Sequence, residues 1–90
     1  MASHTIDLLE HALDVALRAG VRVRKDWLDG VSGGLCRVGK QHWFFLDLSQ
    51  SAADQLQQLT QALRRVPLDG IELHPDLAKL VRSRSKIKAS

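Results

Sequence analysis

Apolar positions recur along the chain with two different periods, and the change from one to the other marks out the elements. Ile6, Leu9, Leu13, Ala16 and Leu17 fall on one stripe at helical spacing, so the pattern predicts a first helix ending near Ala19. Ser3 or Thr5 can cap it, Asp7 and Glu10 suit its positively polarised first turns, and Gly20 supplies a left-handed stop. Val21-Arg22-Val23-Arg24-Lys25 then alternates apolar and basic residues, as a half-buried strand does. Residues 26–34 are rich in turn formers and predict a loop, with Trp27 and Leu28 folding back as a plug over one end of the core.

Two β-prone runs follow, separated by Gly39-Lys40-Gln41, and predict a hairpin. An odd-length loop would place Cys36 and Val38 on one face with Phe44, Leu46 and Leu48. Leu35, Arg37, Trp43, Phe45 and Asp47 would then share the other face. This sorting makes one face wholly apolar, and it is the register the pattern favours. Ala52, Leu56, Leu59, Leu63 and Val66 mark a second helix, opened by Ser51 with Asp54 three residues on and ended by Pro67. Ile71-Glu72-Leu73 allows an extended piece or an edge strand. Pro75, Asp76, Leu77, Leu80 and Val81 predict a short last helix.

The expected fold is therefore two-layer α+β in the order α-β-β-β-α-α. A small antiparallel three-stranded sheet carries two main helices and a short C-terminal helix. Residues 1–81 form one domain, and residues 82–90 a basic, disordered tail.

Charge changes the picture once it is divided along the chain. The formal net charge is +3. All ten Asp and Glu precede residue 81, whereas Arg82, Arg84, Lys86 and Lys88 crowd the end, so the excess belongs to the tail. Such a tail offers weak, salt-dependent contacts to nucleic acid and has no aromatic side chain for stacking on bases. No apolar run approaches the roughly 18 residues of a membrane span. The first residues have neither a basic start nor an apolar h-region, and a single cysteine forms no internal disulfide. A cytoplasmic location is the expectation.

Catalytic chemistries fail one after another for want of a partner. The second helix lacks the His-Glu-x-x-His of a zinc protease, and Gly33-Gly34 leads into a strand rather than into the Lys-Ser/Thr and helix of a phosphate loop. His4, Asp7, His11 and Asp14 form a stripe that could be drawn as a metal site, but a solvated polar helix face accounts for it. No metal and no cofactor is expected. Cys36 with His42 or His74 as base is a conceivable nucleophile, yet the favoured register buries the thiol. An alternative is a small-ligand or hydrolytic pocket built from Arg37, Asp47, His42 and Cys36, with Arg37 as an anion hook.

The block Gly33-Gly34-Leu35-Cys36-Arg37-Val38-Gly39-Lys40, the apolar run to Asp47, Ser51 and its helix, and Leu68-Asp69-Gly70-Ile71 before Pro75 resemble a group of short bacterial proteins of unknown function. That resemblance spans roughly residues 6–82 and implies a fold but no site. The strand-hairpin-helix order is more distantly similar to the zincin-like scaffold of the ImmA/IrrE peptidases, without their metal motif, and implies no catalysis. The reading that remains is a non-enzymatic interaction domain. Leu35, Arg37, Trp43, Phe45 and Asp47 are its candidate contact residues, and a second copy or another protein is its partner.

Overall fold

A computed structural model describes residues 3–27 and 34–82. The elements are α1 (Ser3–Arg18), β1 (Arg22–Asp26), β2 (Gly34–Val38), β3 (Gln41–Asp47), α2 (Ala52–Leu63) and α3 (Pro75–Arg82). This is a small α+β fold in the expected order. The expected plug residue Leu28 and residues 83–90 of the expected tail lie outside the described residues; Arg82, expected to open that tail, instead closes α3.

The sheet is mixed, not antiparallel throughout. Its order is β1-β3-β2, with β3 antiparallel to β2 and parallel to β1. The physical reason is visible in β3, whose Trp43-Phe44-Phe45-Leu46 is apolar at every position. Such a run gains most from the centre, where both edges are paired and both faces are partly covered. The parallel ladder continues past the strand, since Leu48 N–H donates to the Asp26 carbonyl at 2.8 Å.

α1 and α2 lie on one face of the sheet, and α3 packs on those two helices and touches no strand. The core between the layers holds Leu9, Ala12, Val15, Ala16, Val21, Phe44, Leu46, Leu56, Leu59, Ala62, Leu63, Val66 and Leu77. On α1 the buried stripe is rotated from the one the apolar pattern marked. Ala12 and Val15 are inside, whereas Ile6 is 46% exposed and Leu17 58%. The small side chain of Ala12 lets α1 approach its neighbours closely, and that gain outweighs burying two larger residues at the rim. Thr5 lies within α1 rather than at its cap.

Local signals account for the ends of the other elements. Ser51 caps α2 by accepting the Asp54 N–H at 3.1 Å. Buried Gln55 reaches back to donate to the carbonyls of Asp47 and Gln50, at 3.1 and 3.0 Å, and ties the β3–α2 corner. Residues 71–74 form no strand. The last helix begins at Pro75, as its sequence suggests, and its end is held by Arg64. That guanidinium donates to the carbonyls of Leu80 and Val81, both at 2.8 Å, placing a cation where the helix dipole is negative. No helix among the described residues is long and apolar enough to cross a membrane.

Candidate functional site

The hairpin decides which side chains face which way. Val38 pairs with Gln41, so the turn is the two residues Gly39-Lys40. Gly39 sits at φ +64°, the left-handed conformation that two-residue hairpin turns require and that glycine adopts at no steric cost. This even-length turn overturns the expected register on β2. Leu35 stands opposite Phe44, Cys36 opposite Trp43 and Arg37 opposite His42. Cross-strand partners share a face, so Leu35 turns toward the helices and Cys36 turns outward. Cys36 is exposed rather than buried, and Val38, expected on the apolar face, is 65% exposed.

On β3 the expected alternation is present. Phe44 and Leu46 are buried against the helices, while Trp43 and Phe45 point to the other side and are half-buried. Their rings are near-parallel, 15° apart in plane, with centroids 6.3 Å apart. β1 contributes Arg22 beside Trp43 and Arg24 beside Phe45. The Arg22 guanidinium carbon stands 5.8 Å from the Trp43 ring centroid, within cation–π range. On the β2 side Gly34 pairs with Phe45 and Cys36 with Trp43. The outer face is thus an aromatic pair on the central strand, two arginines along one flank, and Cys36 on the other.

The five expected contact residues divide. Trp43 and Phe45 come together on this face. Leu35 does not join them; it packs against the core and lines a cleft of about 340 Å³ with Gly34, Gln58, Gln61, Ala62 and Arg65. Arg37 shares the side of His42 and donates from Nε to the Gly39 carbonyl at 3.1 Å, bracing the turn. Asp47 has the outward parity but is only 2% exposed. Its Oδ1 accepts from the Ser49 N–H at 2.9 Å and from the Ser49 hydroxyl at 2.6 Å, which makes it a corner residue of the turn into α2. An Arg37–Asp47 pair is therefore not formed by the register. The alternative pocket of Arg37, Asp47, His42 and Cys36 is not assembled either, because Cys36 and Arg37 leave β2 on opposite faces.

No family model, curated protein or solved structure matches this chain. Its chemistry has to be read from the side chains alone.

Two features escaped the sequence reading. Trp27, expected as a plug, is 67% exposed beside the sheet. The polar stripe of α1, expected to face water, instead meets the start of α3. His4 Nε2 lies 3.1 Å from Asp76, and the His74 N–H donates to His11 Nε2 at 3.0 Å. His74 in turn accepts the Asp76 N–H on Nδ1 at 3.1 Å, capping α3. These contacts tie the polar face of α1 to the start of α3. Among the described residues no group of three or more His, Cys, Asp or Glu is arranged to hold a metal ion.

Proposed function

We propose that the chain is a small cytoplasmic, non-enzymatic binding domain whose contact surface is the outer sheet face around Trp43 and Phe45. One observation carries this reading. A near-parallel aromatic pair occupies the central strand on the side away from both sheet-covering helices. Half-buried aromatic rings combine large contact area with little side-chain entropy to lose, which is why they anchor interfaces. The bacterial group that the Gly-Gly-x-Cys-Arg block resembles brings no activity of its own, so its membership belongs to the same proposal.

The sequence suggested a second copy as partner. Two copies meeting through this face would bring four arginines into one interface, and those that come close to each other cost affinity. Another kind of partner is the better fit.

Cys36 is a built-in reporter, since it is the cross-strand neighbour of Trp43. In the dilute free chain a thiol probe should label it at nearly the rate of an unstructured thiol. Slow labelling under those conditions would mean that the face is covered from within, and the reading would be wrong. A labelling rate that falls as chain concentration rises would restore the second copy as occupant.

A further inference from the structure

The outer face carries charge as well as aromatic area, and the two are arranged together. Arg22 and Arg24 are exposed, and neither forms an ion pair among the described residues. Residues 21–40 hold Arg22, Arg24, Lys25, Arg37 and Lys40 against Asp26 and Asp29, while α1 on the far side carries Asp7, Glu10 and Asp14 against Arg18. The domain body is near neutral as a whole, with further cations at the end of α2, Arg64 and Arg65, and on α3, Lys79. On the outer sheet face, however, β1 sets Arg22 and Arg24 beside the aromatic pair, with Asp26 at the far end of the strand. From this we infer that the outer sheet face binds single-stranded nucleic acid, bases stacking on Trp43 and Phe45 and phosphates meeting Arg22 and Arg24. This rests on the outer face being the contact surface.

The occupant follows from the chemistry of each part. Rings on alternate residues of one strand, with planes only 15° apart, offer two stacking surfaces in a row to flat groups joined by a backbone. Guanidinium groups beside those rings, neither of them in an ion pair among the described residues and Arg22 lying over the Trp43 ring, match the negative charge between successive bases. A duplex satisfies only the second half of this description, because its bases are already stacked and hide their faces. An acidic peptide likewise satisfies the charges and leaves the ring planes unused. A second copy would bring four arginines into one interface, and among the described residues it offers no exposed anion on this face to meet them but Asp26.

The test uses the full chain and a labelled oligothymidylate of about 12 nucleotides, within the range of single-strand site sizes, against a duplex of the same length. Anisotropy should show tighter binding to the single strand, falling steeply between about 50 and about 200 mM salt. Trp43→Leu and Phe45→Leu keep apolar bulk and remove the stacking plane; each should weaken single-strand binding about tenfold. Arg22→Gln with Arg24→Gln should lower the slope of log affinity against log salt by about 1.4. Neutralising the tail with Arg84→Gln, Lys86→Gln and Lys88→Gln should reduce affinity for both nucleic acids and leave the aromatic effects in place. The oligonucleotide should also slow Cys36 labelling, and polyglutamate at equal charge should not.

Equal affinity for single strand and duplex, binding indifferent to both aromatic substitutions, or equal protection of Cys36 by polyglutamate would overturn the inference. So would absence of binding at about 50 mM salt, the low end of the range in which such contacts are strong. If Cys36 labels freely in the chain alone and the oligonucleotide does not protect it, the nucleic-acid assignment fails while the contact face stands. If Cys36 is shielded in the chain alone, both fall.

Discussion

Phe44 and Phe45 are consecutive residues of the same strand, and the fold puts them to opposite uses. Phe44 is fully buried between the sheet and the helices, in a cluster with Leu59, Leu63 and Val15. Phe45 stands on the other face, half-buried, beside Trp43 and two arginines. Identical side chains one residue apart thus separate what holds the domain together from what it presents. Apolar area removed from water by helices stabilises the fold; apolar area left beside cations on the other face is available to a partner.

That contrast can be broken most decisively by truncating each ring in turn. Phe44→Ala should cost about 3–5 kcal/mol, a large share of the total for a domain this small. Phe45→Ala should cost no more than about 1 kcal/mol. Urea denaturation of the two variants measures both, and equal losses would mean that the outer face is core. Next in size is the corner that holds β3 to α2. Gln55→Ala withdraws the donor from the Asp47 and Gln50 carbonyls and should lower stability by about 1–2 kcal/mol in the same assay. The turn that sets the register comes third. Gly39→Ala forces a Cβ into the left-handed region and should cost about 1 kcal/mol, with Cys36 remaining reactive if the register survives. The smallest effect belongs to the outer cations: Arg22→Gln should change the thermal midpoint hardly at all, within about 0.5 kcal/mol, since its interaction with Trp43 is at the surface.

Much of this arrangement is legible in the residues. The α2 stripe of Leu56, Leu59 and Leu63, its Ser51 cap, the start of α3 at Pro75 and the inward turn of Phe44 and Leu46 all follow from periodicity and capping chemistry, which act over a few residues. The outward turn of Trp43 and Phe45 was legible for the same reason. The candidate site was only partly so. Pairing it with Leu35 and Arg37 required the β2 register, and maximising the apolarity of one face chose the wrong one; Asp47 keeps its expected parity and is lost to the face by burial at the turn into α2. A Gly-Lys turn of two residues was the available signal, because Gly39 at the first turn position favours that geometry. Arg22 and Arg24 were legible as outward-facing, but not as neighbours of the aromatic pair. That neighbourhood needs β1 beside β3 and parallel to it, whereas the pattern suggests only an antiparallel sheet.

The sequence by itself therefore determined the element order, the inner face of the central strand and the two helices that cover it, since each depends on spacing within a single segment. Only the tertiary structure decided that β3 lies between β1 and β2, that Cys36 looks outward, and that the histidines of α1 meet the start of α3. Those outcomes depend on competition among distant segments for the most favourable edge and face. Local periodicity contains no term for that competition. The surface around Trp43 and Phe45 is assembled from three strands, so it came into view only when they were placed side by side.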